Sequence, residues 1–243
     1  MFFQIPTLVA IIDLIPALHL GIDLNIIHME NNPSILPGAG TSLSNGWAKM
    51  KQYFLPLLFV VIIASIFDPP LKILKTSTDM HTSEKVFLEI LGLAYLFLFV
   101  PIIKYGANYL FVQAVYDRKI ELKDIFIGFN NYLNIVLVNL LVVSLIGIGM
   151  IALIIPGIII ACRLAFVSYL VMDKKLDPIA AIETSWKLTK GYGWEIFLLV
   201  ITSIFIFFLG LLALIVGVFP AVIWIKASFA SLYKAVMSEK EEY

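Results

Sequence analysis

Residues 125–162, IFIGFNNYLNIVLVNLLVVSLIGIGMIALIIPGIIIAC, contain no Asp, Glu, Lys or Arg. As one straight helix this stretch would run roughly 57 Å, against a bilayer hydrocarbon core of about 30 Å. It must fold back on itself. Pro156-Gly157 supplies a break, because proline removes a backbone donor and collides with the preceding turn. Residues 196–225 form a second charge-free stretch, interrupted by Pro220. Both therefore read as helical hairpins, with spans expected at 132–155, 157–172, 194–219 and 221–237.

The rest of the composition agrees with a membrane chain. Of the 243 residues, 61% are hydrophobic and 14% charged, and the mean hydropathy is +0.98. Seventeen basic residues balance seventeen acidic ones, so no excess charge points to nucleic acid as a partner. Membrane lipids and other membrane proteins are the partners that such a surface implies. Upstream, residues 52–67 are charge-free and end at Asp68-Pro69-Pro70, and residues 86–116 read as a long apolar helix carrying Glu89, Pro101 and Lys104. These make a third hairpin. The expected fold is an all-α integral membrane protein with about six transmembrane helices in three proline-turned hairpins.

Domain organisation follows from the same pattern. Residues 1–42 form an apolar N-terminal segment and linker, 43–237 the six-helix membrane domain, and 238–243 a short cytoplasmic tail. Residues 1–28 hold no Lys or Arg and are interrupted by Pro6, Asp13, Pro16, His19 and Asp23. An interfacial or re-entrant segment avoids burying two carboxylates in hydrocarbon. A true start at Met29 and a seventh span are the alternatives.

Basic residues are retained on the cytoplasmic side of a membrane protein. Eleven of the seventeen (Lys49, Lys51, Arg118, Lys119, Lys123, Lys174, Lys175, Lys187, Lys190, Lys234, Lys240) fall on one side of the six-span arrangement. Lys72, Lys75 and Lys85 fall on the other, and Lys104, Arg163 and Lys226 lie within helices. The C-terminus is therefore expected in the cytoplasm.

An amphipathic stretch precedes each hairpin. In residues 177–191, Asp177 suits a helix N-cap, Pro178 the first helical position and Gly191 the stop, with Ile179, Ile182 and Trp186 on one face. Leu122, Ile125, Phe126 and Phe129 repeat the pattern, as do Leu43, Trp47, Met50 and Phe54. Such helices lie in the headgroup region. Trp47, Trp186 and Trp194 are the expected interfacial anchors.

Chemistry-bearing residues are sparse. The three histidines, His19, His28 and His81, lie outside the expected core helices, and Gly38-Ala39-Gly40 lacks the lysine of a phosphate-binding loop. The lone Cys162 excludes an internal disulfide. No catalytic, cofactor or metal constellation emerges. The charges inside the helices are the candidates that remain, since a basic residue at mid-bilayer costs at least about 2.5 kcal/mol. Arg163 and Lys226 each follow a proline by six or seven residues, which sets them roughly 10 Å below the outer turns. Glu89 falls in the same outer half. An intramembrane ion pair of Arg163 with Glu89 is expected, with Lys226 snorkelling. The functional alternative is a cleft near Arg163 and Lys226 that receives an anionic group such as a lipid phosphate.

Residues 155–194 resemble a bacterial membrane-protein superfamily that includes the YciC-like proteins and the membrane domain of some glycerophosphoryl diester phosphodiesterases. The pattern consists of Ile155-Pro156-Gly157-Ile158, Arg163, Asp173, Asp177-Pro178, Ala181, Ser185-Trp186-Lys187-Leu188-Thr189-Lys190-Gly191 and Trp194. A weaker similarity extends from Gly46-Trp47 to about Met237. The resemblance implies a multi-pass inner-membrane protein without an assigned activity. The phosphodiesterase activity belongs to a separate soluble domain that these residues do not contain. The role expected is therefore non-enzymatic, a membrane scaffold or a partner of other membrane proteins, with a transporter or lipid-handling protein as the alternative.

Overall fold

In lipid a backbone satisfies its own polar groups only as helix or as a closed barrel, and continuous apolar runs of this length, without the alternation of barrel strands, select helix. A computed structural model describes residues 36–68 and 82–241, with side chains for all of these except 82–85, 214–216 and 241. The expectations for residues 1–28 and for most of the 68–85 loop lie outside the described residues. Everything described belongs to the compact unit Ile35–Tyr243. The described elements are helices and turns, with no strand among them.

Helix α1, Ala39–Gln52, meets α2, Phe54–Phe67, at a bend of 96°. Then come α3, Thr82–Ala94, a π turn at Tyr95–Phe99 and α4, Val100–Val115. The widened turn immediately precedes Pro101, whose ring would otherwise meet the carbonyl one turn earlier. A 3-10 segment, Leu122–Asn131, leads into α5, Tyr132–Ala152. Helices α6, Ile154–Arg163, and α7, Val167–Asp173, follow, then α8, Pro178–Leu188, α9, Gly193–Leu212, and α10, Leu214–Glu241. Among the described residues, four runs are long and apolar enough to cross a membrane: Val86–Val115, Leu122–Ala152, Ile154–Asp173 and Gly193–Leu212. Counting the bent pair α1–α2 as one span makes five.

The turns come earlier than the prolines suggest. Between α5 and α6 the chain reverses at Leu153, which takes the extended conformation, and Pro156 sits in the first turn of α6. There its missing N–H costs nothing, because the first turn of a helix has no internal acceptor to offer. The second reversal is at Ala213, and α10 continues through Pro220. Gly210 and Gly217 flank that turn, and a Cβ on Gly210 would lie 2.8 Å from the Gly217 carbonyl oxygen. Close approach of two backbones, not loss of a donor, fixes the hairpin.

The densest packing lies in α4, α7 and the second half of α10, where Ile102, Leu110, Phe111, Leu170, Ala227 and Tyr233 are almost fully buried. Gly106 of α4 admits the 3-10 segment so closely that a Cβ there would lie 1.9 Å from the Ile125 oxygen. Away from this core, α3, the far half of α5 and the far half of α9 expose Phe87, Ile90, Ile148, Ile151, Phe205 and Leu212.

Each of the three amphipathic stretches buries a face that mixes small and apolar residues and turns aromatic side chains outward. Helix α1 buries Ala39, Ser42, Gly46 and Met50 and exposes Trp47. Helix α8 buries Ala181, Ser185 and Leu188 and exposes Ile179 and Trp186. The middle stretch is 3-10 rather than α-helix and buries Ile125 and Gly128, with Phe126 and Phe129 outward. Asp177 has the extended backbone of an N-cap without a side-chain capping bond, Pro178 opens α8, and Gly191 has a left-handed φ of 99°.

Candidate functional site

Three polar arrangements interrupt the apolar packing. The first is a belt around the turn that follows α4. Asp117, with φ 55°, accepts hydrogen bonds from Lys49 Nζ (2.5 Å), Tyr53 Oη (3.1 Å) and Gln52 Nε2 (3.2 Å). Burial alone would raise its carboxyl, but the Lys49 ammonium and the other donors bring it below the ordinary carboxylate value. Arg118 pairs with Asp173, which also accepts from Tyr233, and Lys234 donates to the Val115 carbonyl. Ammonium groups of Lys123 and Lys119 hold the exposed Glu121 at about 2. The belt ties α1, α4, α7 and α10 together with satisfied partners, which is a structural arrangement rather than a reactive one.

The second surrounds Lys226 in α10. Its ammonium turns into the bundle instead of snorkelling outward, donating to Asn108 Oδ1 at 3.0 Å, while Asn108 donates to Ser168 Oγ at 3.2 Å. The Phe111 ring lies 5.9 Å away. Next to it Lys104 pairs with Asp68 at 2.9 Å, and both lysines line a cavity of about 190 Å³. Because α10 starts at Leu214, Lys226 lies roughly 18 Å along the helix, deeper than counting from Pro220 implies.

Arg163, the last residue of α6, forms the third. Helix ends leave carbonyls without internal donors, and two hydroxyls reach the Arg163 carbonyl, Ser185 on the buried face of α8 at 2.8 Å and Thr189 at its C-cap at 3.2 Å. This capping fixes α8 against α6 and sets Trp186 beside the guanidinium, 5.9 Å from carbon to ring centroid. Nη1 is shielded from solvent and has no hydrogen-bond partner. An unsatisfied buried donor costs about 1–3 kcal/mol, and more when charged. The cation–π contact returns about 0.5–2 kcal/mol and satisfies no N–H. Beyond the guanidinium opens a groove of about 470 Å³ between α6 and the first turns of α9, walled by Ile155, Ile159, Trp194 and Phe197.

The structure therefore separates residues that sequence reasoning grouped. Glu89 is exposed on α3, and no ion pair joins it to Arg163 among the described residues. Arg163 lies about 14 Å along α6, because the helix begins at Ile154, and it faces α8 and α9 rather than α3. Arg163 and Lys226 line different cavities. Trp47 packs edge-on against Trp224 at 4.7 Å, Trp186 faces Arg163, and Trp194 forms a groove wall while 66% exposed. Sequence reasoning missed the capping role of Ser185 and Thr189. Its signal was present, since two hydroxyls four residues apart on a helix face, amid apolar neighbours, need an acceptor.

No set of three or more His, Cys, Asp or Glu side chains positioned to hold a metal occurs among the described residues. Comparison with family models, with curated proteins and with solved structures finds no match to this chain in any of the three.

Proposed function

We propose that this protein is a bacterial inner-membrane protein crossing the bilayer six times, with its C-terminus in the cytoplasm, and that it serves without catalysis as a scaffold for other membrane proteins. The six spans would be α2, α3–α4, α5, α6–α7, α9 and α10. Support for the orientation comes from the bias of basic residues, whose members Lys49, Arg118 and Lys234 gather in the belt beside Asp117 and Asp173. The resemblance of residues 155–194 to the YciC-like superfamily supports the multi-pass inner-membrane setting.

One observation carries the scaffold reading. Beyond the π turn that continues it, α3 makes no extensive contact with any other described helix. Val86, Phe87, Ile90, Leu91 and Leu93 are exposed around its circumference, and Glu89 is exposed among them without a described partner. Lipid-spanning helices associate through side-chain packing and polar contacts, so a free helix with one carboxylate suits a neighbouring membrane helix that offers a donor. A photo-crosslinking residue at Phe87 should give a discrete protein adduct in membranes, and one at Leu212 should not. Adducts with lipid alone at both positions would refute this reading. The lipid-handling alternative has its own support in the unpartnered Arg163 beside an apolar groove.

A further inference from the structure

The groove between α6 and α9 has a direction. At one end stands Arg163, a charged group that lines the groove and has no ion-pair partner among the described residues, its Nη1 turned away from the opening. Toward the other end lies Ile155, eight residues earlier and so roughly 12 Å away along α6, with Ile159 between them and Trp194 and Phe197 opposite. The described carboxylates of α8 and α9 have other partners. Glu195 accepts from the Ala39 backbone N–H at 2.7 Å, and Glu183 faces Lys187 at 3.9 Å. Trp186 covers the guanidinium but supplies no lone pair. An occupant that fits this arrangement carries an anionic acceptor at one end and hydrocarbon at the other. A planar guanidinium matches phosphate oxygens two at a time, which a lysine cannot do.

We propose that this groove holds one anionic phospholipid of the bilayer, its phosphate against Arg163 and an acyl chain along Ile159 and Ile155. The site deepens the lipid-handling alternative and does not depend on an interface at α3. Cys162 and Gly193 complete the lining, and neither offers a competing charge. Lys226 belongs to a separate pocket, so its loss leaves this site intact.

Purified full-length protein in non-ionic detergent tests this by native mass spectrometry and thermal unfolding. Phosphatidylglycerol, phosphatidylcholine with the same chains, and inorganic phosphate are titrated in parallel. Phosphatidylglycerol should bind one molecule per chain and raise the unfolding temperature, and the other two should bind at least tenfold more weakly. Arg163→Met should weaken phosphatidylglycerol binding by about tenfold or more, with Arg163→Lys intermediate and Lys226→Met unchanged. Should Arg163→Met fail to fold, Ile159→Trp keeps the guanidinium and fills the groove, and it should abolish the bound lipid without lowering the lipid-free unfolding temperature. Equal binding of both lipids, or inorganic phosphate as effective as phosphatidylglycerol, overturns the proposal, and no binding of either lipid overturns the lipid-handling reading with it. Selective lipid binding that survives both Arg163→Met and Ile159→Trp overturns this site alone. A photo-crosslinker at Trp194 that captures residues 1–35 of the same chain overturns it as well, because the groove would then be filled from within.

Discussion

Replacing Gly106 with alanine tests the tightest clearance found at any described glycine. The new Cβ would stand 1.9 Å from the Ile125 oxygen, 2.7 Å from its carbonyl carbon and 3.1 Å from its Cα. Those atoms are backbone and cannot rotate away, so the 3-10 segment must retreat from α4 by at least about 1 Å. Ile125, fully buried, and Gly128, whose own Cβ position lies 2.9 Å from the Ile102 oxygen, move with it. Overpacking of this kind costs about 1–3 kcal/mol, and a backbone obstruction belongs at the upper end. Alanine in a helix returns about 0.5–1 kcal/mol relative to glycine, so the net loss should be about 2 kcal/mol. Gly147 in α5 is the control, since nothing lies within 4 Å of its Cβ position and only the gain should appear. Equilibrium unfolding in mixed micelles, followed by circular dichroism, reads both. A Gly106→Ala variant as stable as Gly147→Ala would mean that the 3-10 segment does not rest on α4.

Three further outcomes are expected. Asp117→Asn should cost about 1 kcal/mol at neutral pH, a figure kept small because the ion pair is partly open to solvent. The Asp117 carboxyl titrates below its ordinary 3.8, so its contribution is complete above that value and is lost as pH falls through the lower folded value. The gap between wild type and variant should stay constant above about pH 4 and close under stronger acid; a gap that widens on acidification contradicts the pairing. In a double-mutant cycle, Arg163→Met and Glu89→Gln should add without coupling, and a coupling above about 0.5 kcal/mol would show that the two residues meet after all. With Cys162 replaced, an impermeant thiol reagent applied to intact cells should label Ser77→Cys and spare Lys190→Cys, and the opposite pattern would invert the topology.

Much of the helical architecture was legible because a bilayer leaves so few solutions. Charge-free stretches longer than one span have to reverse, and both do. The start of α8 at Pro178 was legible for a similar reason, because proline suits a first helical position, whereas Asp177 takes the N-cap backbone without a capping bond and the left-handed Gly191 follows two residues after the C-cap Thr189. The first turn was misplaced because proline is ambiguous, breaking a helix interior but suiting a first turn, where Pro156 lies; the second was misplaced because α10 continues through Pro220 and the chain reverses where Gly210 meets Gly217. The 3-10 form of Leu122–Asn131 was not legible, since apolar spacing cannot register how closely Gly106 lets a neighbouring backbone approach.

Depth along a helix proved a poor guide to which charges meet, and the reason bears on the candidate site. Matching by depth assumes that helices surround a common axis and that every charge inside the bundle sees every other. Here, among the described residues, α3 makes no extensive contact with α6, and Glu89 is exposed, so sharing a level does not bring it to Arg163. The neighbours of Arg163 are set instead by the end of its own helix, where the freed carbonyl draws Ser185 and Thr189 inward and α8 follows. Capping satisfies the backbone oxygen and brings an aromatic face to the guanidinium, but no carboxylate comes with it. The orphaned nitrogen is thus a consequence of how α6 ends. An amide donor shielded in this way would be a packing defect; Arg163 also lines a groove walled by Ile155, Ile159 and Trp194, where an anion can approach the charge of its guanidinium.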